Sequence, residues 1–145
     1  MDFRSVNAAM VDKLRAEAGE PLLEGGYALR VVETRGRVSG RPRLVPLAVV
    51  QRDGDWFLIA PQRDRDWVRN LSEEPACVLL DGERRFERQA RPVAGAEAAA
   101  VVRQYLRAMS APWAVSAFPV AQDASLEEIT GALPKMAVFS LGERE

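Results

Sequence analysis

Leu44-Val45-Pro46-Leu47-Ala48-Val49-Val50-Gln51-Arg52-Asp53-Gly54-Asp55-Trp56-Phe57-Leu58-Ile59 holds two apolar runs parted by Asp-Gly. An Asp-Gly pair suits the left-handed backbone of a tight hairpin turn, so Leu44–Gln51 and Trp56–Ile59 read as antiparallel strands. Neither run alternates cleanly between apolar and polar residues, so large side chains fall on both faces. Such strands need cover on both sides, as in a small closed barrel with helices outside. The same turn recurs at Asp81-Gly82, between Cys77–Leu80 and Arg84–Val93, while Tyr27–Arg35 supplies a strand upstream and Lys135–Leu141 one at the end. The expected fold is mainly β (α+β), a barrel of six or seven mostly antiparallel strands with three or four helices outside.

The helices are read from apolar spacing. Phe3, Val6, Met10 and Leu14 recur at near-helical intervals among charged residues, which predicts an amphipathic helix over about 4–18. Arg65–Ser72 reads as a short helix ending before Pro75. Ala98, Val101, Val102, Tyr105 and Met109 form one helical stripe, and Ser125-Leu-Glu-Glu128 has capping-box spacing. Ala111–Asp123 reads as irregular, and no linker or repeat divides the chain, so residues 1–145 are expected to form a single domain with its barrel over about 27–141.

Composition narrows the chemistry. The 145 residues carry 20 Lys+Arg against 21 Asp+Glu, a net charge of −1 that argues against nucleic acid as a partner. There is no His and a single cysteine, Cys77, which excludes most metal sites and Ser–His or Cys–His nucleophiles. Cys77 lies in the apolar run Ala-Cys-Val-Leu-Leu and reads as a small buried hydrophobe. No apolar stretch approaches the ~20 residues of a membrane span, so no stable membrane insertion is expected and the cytoplasm is the default location.

Positive charge is concentrated in one place. Arg37, Arg41 and Arg43 fall within seven residues, interleaved with Ser39, Gly40 and Pro42, between two strands. Guanidinium forks, a hydroxyl and backbone N–H groups that glycine lets approach closely suit a phosphate or carboxylate; a solvated basic hairpin tip is the alternative. Asp64 and Asp66 lie among Arg63, Arg65 and Arg69 and read as surface ion pairs, not an acid–base couple. Arg84, Arg85, Arg88 and Arg91 read mostly as a solvated strand face. With no catalytic residue or metal site in view, difficult chemistry would need a cofactor.

The run Gly36-Arg37-x-Ser39-Gly40-x-Pro42-Arg43-x-x-Pro46-Leu47, then Asp53-Gly54, then Trp67-x-x-Asn70-Leu71 and Pro75, resembles the deazaflavin-dependent nitroreductase family, over about Leu29 to Val93. The resemblance implies a split β-barrel that binds coenzyme F-420, a deazaflavin with a phosphate and an oligoglutamate tail. It further implies hydride transfer to a small-molecule acceptor such as a quinone, a nitro-compound or another conjugated electrophile. On this reading Arg37 and Arg43 clamp the phosphate or tail carboxylates, helped by Ser39, the Gly40 N–H and Arg41. Pro46 marks a bulge or strand edge where the ring passes. Pro61, Gln62 and Arg63 line the cofactor, and Trp67 and Asn70 reach it from one helix face. The other reading makes Trp67 a core anchor and Asn70 a helix-end hydrogen bond. Trp113 and Phe118 are expected to wall the acceptor, with Ala48 also at the substrate, while Tyr105 belongs to the core. The chain departs from the family pattern at Val38, where Lys is usual, and at Ala48 and Pro61, where active nitroreductases tend to carry Tyr and Ser. FMN is the alternative cofactor, a non-catalytic deazaflavin carrier the alternative function, and a homodimer a possible assembly.

Overall fold

Asp53 and Gly54 both take positive φ, 52° and 79°, and turn the chain tightly between two of the barrel's strands. A computed structural model describes residues 3–16 and 19–144. The elements run α1 (Phe3–Ala16), β1 (Tyr27–Arg35), β2 (Pro42–Arg52), β3 (Asp55–Ala60), α2 (Asp66–Glu73), β4 (Ala76–Asp81) and β5 (Arg84–Pro92). They continue with α3 (Gly95–Ala108), α4 (Pro112–Val115), α5 (Leu126–Ala132), a 3-10 turn (Leu133–Lys135) and β6 (Ala137–Glu143). The strands close into a barrel in the order β1-β2-β3-β6-β5-β4, and each neighbouring pair is antiparallel.

Two-sided strands explain the layers. Val32, Val49, Leu58, Leu79, Ala90, Phe139 and Leu141, one or more from every strand, meet in a single cluster inside the barrel. Their chain neighbours Val50, Phe57, Ile59 and Val138 face the opposite way, into a second cluster with Val101, Val102 and Leu106 of α3 and Ile129 of α5. Val31, Val78 and Leu80 face a third, covered by Val11 and partly by Leu14 of α1. Fully burying each large aliphatic side chain contributes about 1.5–3 kcal/mol, so all three layers stabilise the barrel.

The structure refines several expectations. Of the N-terminal stripe, Phe3 and Val6 have side chains outside the described residues, and Val11 is the deeply buried position of α1. Five α-helices are described where three or four were expected, because Pro112 starts a four-residue turn inside the segment read as irregular. Ser125 does form the capping box, with its hydroxyl accepting from the Glu128 N–H while the Glu128 carboxylate accepts from Ser125 N–H. Arg88 is not a solvated strand residue: its guanidinium lies 4.5 Å over the Trp56 ring, and Phe86 meets Trp56 edge-on. Buried Arg30 binds the Glu20 carbonyl at 2.7 Å and Asp81 at 3.7 Å, fixing the segment after α1 to the β4–β5 turn. Among the described residues no helix is long and apolar enough to cross a membrane.

Candidate functional site

The turn joining β1 to β2 is built on itself before it can bind anything else. Gly36 N–H donates to the Arg41 carbonyl and Gly40 N–H to the Gly36 carbonyl, each at 2.8 Å. Arg41 N–H donates to Ser39 Oγ at 3.2 Å, and Arg35 Nη1 to the Gly40 carbonyl at 2.7 Å. Gly40 sits at φ +71°, where an L side chain is strained. Gly36 is needed for a different reason: a Cβ there would lie 3.1 Å from Ser39 Oγ and 3.2 Å from the Arg41 carbonyl. The Gly40 N–H, expected to face a ligand, is therefore engaged within the turn. The Ser39 hydroxyl keeps its hydrogen available.

Arg37 anchors this turn to α2. Its backbone N–H and its Nη1 both donate to Asn70 Oδ1, at 3.1 and 2.9 Å. Nη1 also reaches the Asp66 carbonyl at 3.4 Å, and Nη2 lies 3.3 Å from Asp66 Oδ1. Asn70 is only 5 % exposed, and its Nδ2 faces Thr34 Oγ1 at 3.5 Å. Asp66 thus pairs across to the loop and not with an arginine of its own helix, as its neighbours suggested. Asn70 lies four positions after Asp66, so both fall on one helix face, and that spacing was the signal available in the sequence. Trp67, next in line, is buried against Phe139 with ring centroids 6.1 Å apart. Its indole N–H has no partner among the described residues, and an orphan donor of that kind costs about 1–3 kcal/mol.

Beside the anchor runs an open groove of about 610 Å³ between α2 and the β5–β6 pair. Arg37, Arg63 and Arg69 give it a cationic rim, with Asp64, Ser72 and Glu73 between them. Val68, Pro92, Val93, Ala137, Val138 and Phe139 supply the apolar wall. Arg63 is held there by its Nε on the Pro134 carbonyl at 3.1 Å and its N–H on the Lys135 carbonyl at 2.9 Å. Arg41, Arg43 and Arg69 are different: all are exposed, and their side chains have no ion-pair or hydrogen-bond partner among the described residues. Arg69 and the apolar wall were not among the residues singled out from sequence, since nothing local to β5 and β6 announces their approach to α2.

The remaining expected positions are dispersed. Pro46 lies on an edge, because β2 pairs with β1 from Pro42 to Val50 but with β3 only from Val49 onward. Ala48 is half-buried opposite Leu29, Pro61 is half-buried and Gln62 exposed. Trp113 is 79 % exposed on α4. Phe118 is buried in the cluster beneath α3, edge-on to Tyr105, which is in turn edge-on to Tyr27. Neither Trp113 nor Phe118 lines the groove. Burial pushes the Tyr105 phenol up to about 12 and the Cys77 thiol up to about 11, so neither ionises near neutrality. No group of three or more metal-ligating side chains occurs among the described residues.

Residues 3–124 match the family model described as "F420H(2)-dependent quinone reductase". No curated protein matches the chain. Among solved structures, an F420-H2 dependent reductase (FDR-A) is 26% identical with a TM-score of 0.52, over 85% of this chain and 99% of that one. A structure described as a domain-swapped dimer is 20% identical with a TM-score of 0.55, over 95% of this chain and 91% of that one. A conserved hypothetical protein from Mycobacterium tuberculosis is 17% identical with a TM-score of 0.55, over 100% and 82%. The last two likenesses carry the fold alone, whereas the family match spans the anchored turn, α2 and most of the barrel. The chain belongs to the F420H(2)-dependent quinone reductase family and is a reductase that uses reduced coenzyme F-420.

Proposed function

We propose that the Gly36–Arg43 turn holds the acidic end of coenzyme F-420, and that the chain reduces a quinone or another conjugated electrophile. The observation behind this reading is that Arg41, Arg43 and Arg69 carry guanidiniums with no protein partner among the described residues. Their chemistry fits a ligand with a phosphate and several carboxylates, since each fork can make charge-assisted, bidentate bonds. The apolar wall formed by Val93, Val138 and Phe139 fits a flat conjugated ring. Arg37 and Asn70 fix the direction of the turn, and Ser39 offers one neutral donor. Bound in its reduced form, the coenzyme supplies the hydride. The protein's part is to orient ring and acceptor and to exclude water, for which no His or other titrating side chain is needed.

The whole chain is read as one coenzyme-binding domain acting in the cytoplasm. Leu29 and Leu44, 42% and 36% exposed, suit burial against a second copy of the chain, in keeping with the dimeric state of one structural neighbour. The functional reading is tested by titrating the purified protein with coenzyme F-420 and following the coenzyme's fluorescence. Arg43→Ala should weaken binding by about 1.5–3 kcal/mol while the circular dichroism spectrum stays unchanged. Unaltered affinity would return Arg43 to the role of a solvated hairpin residue. Consumption of the reduced coenzyme on adding a quinone completes the test.

A further inference from the structure

Of Arg37, Arg41 and Arg43, Arg37 alone has its fork engaged among the described residues, and the engagement is of two kinds. Asn70 takes its backbone N–H and Nη1 through a buried amide oxygen, while Asp66 takes Nη2 through a carboxylate whose side chain is 87% exposed. The first contact is fixed by burial, whereas the second can be exchanged with solvent or with another anion. Asp66 therefore occupies the same donor face that a phosphate or carboxylate would seek on Arg37. Through Arg37 it stands beside a groove whose rim carries Arg37, Arg63 and Arg69 as well as Asp64 and Glu73.

Resting on the proposed function, we infer that Asp66 is an internal competitor for the coenzyme's acidic end and a determinant of affinity at the site. Its carboxylate holds the Arg37 fork in the free protein and must be displaced when an anion arrives. That displacement lowers the anion's affinity, and it selects for ligands carrying enough negative charge to win the fork from Asp66. As a positioning residue, Asp66 acts through Arg37 and touches no reacting atom.

Asp66→Asn keeps the side chain's size and one hydrogen bond to Arg37 but removes the competing charge. Coenzyme F-420 should bind this variant about three- to tenfold more tightly than the wild type, with a steeper salt dependence. The ring-and-ribityl fragment lacking phosphate and glutamates should bind both proteins alike. In an Arg37→Gln background the gain from Asp66→Asn should shrink, because no fork remains to be released. An equal gain in both backgrounds, an equal gain for the uncharged fragment, or no gain at all would each overturn the competitor role. Binding by the wild type without a gain in the variant refutes this inference alone. Absence of binding by every variant and by the wild type refutes the functional reading as well.

Discussion

Replacing Asn70 by Ala removes the buried acceptor that ties the candidate anion loop to α2. Asn70 Oδ1 accepts from the Arg37 backbone N–H at 3.1 Å and from its Nη1 at 2.9 Å, and the residue is 5 % exposed. A neutral bond contributes about 0.5–1.5 kcal/mol and one to a charged donor about 1.5–3 kcal/mol. The Arg37 side chain is 24 % exposed, so water can partly take over the guanidinium, and the total is reduced accordingly. The Thr34 contact, at 3.5 Å, adds little. The expected loss is about 2–3 kcal/mol, which for a domain of this size lowers the melting temperature by about 5–10 °C. Urea unfolding followed by tryptophan fluorescence measures it directly. Asn70→Asp, which keeps the acceptor and adds a charge beside Arg37, should lose much less. A loss below about 0.5 kcal/mol in Asn70→Ala would refute the anchor, because that is the scale of an ordinary surface substitution.

Two further outcomes concern groups away from the site. Glu24 accepts from the Gly54 and Asp53 N–H groups, which hold its carboxyl below the ordinary value of 4.5. A lowered carboxyl stabilises the folded state above that value, and the contribution disappears as pH falls through the folded pKa. The urea-midpoint difference between wild type and Glu24→Gln should therefore be largest near neutrality and close below pH 4.5; a difference independent of pH would refute the cap. The buried Cys77 thiol, pushed up to about 11, should resist a thiol reagent at pH 8 in the folded protein and react freely in urea. Because the unfolded thiol ionises near the ordinary value of 9, its share of stability is present below pH 9 and lost as pH rises through 11. Rapid labelling of the native protein at pH 8 would contradict that burial.

The barrel was legible because its signals are local. Asp53-Gly54 and Asp81-Gly82 are read from adjacent residues, and Val49-Val50 or Val31-Val32 announce two buried faces by sitting side by side. The anion turn was legible for the same reason, its arginines, serine and glycines lying within one short run. What sequence could not supply were partnerships across the fold. Arg37 meets Asn70 across 33 residues, and Arg63 finds its carbonyls about 70 residues away, so nothing local distinguished these engaged arginines from the free Arg41 and Arg43. The packing of Phe118, expected at the acceptor wall, was hidden for a related reason. A large aromatic in an irregular segment reads as exposed until α3 and Tyr105 are seen to cover it.

The unpaired length of β2 carries a consequence for how the protein behaves at high concentration. An open strand margin is ordinarily a template onto which other chains add, the route to fibrils. Here Pro42 and Pro46 sit four residues apart within it, so their nitrogens point to the same side, and neither has a hydrogen to donate. With the ladder to β1 running unbroken on the other flank, the missing donors fall on the exposed margin. The unpaired stretch is thereby a poor seed for intermolecular sheet growth.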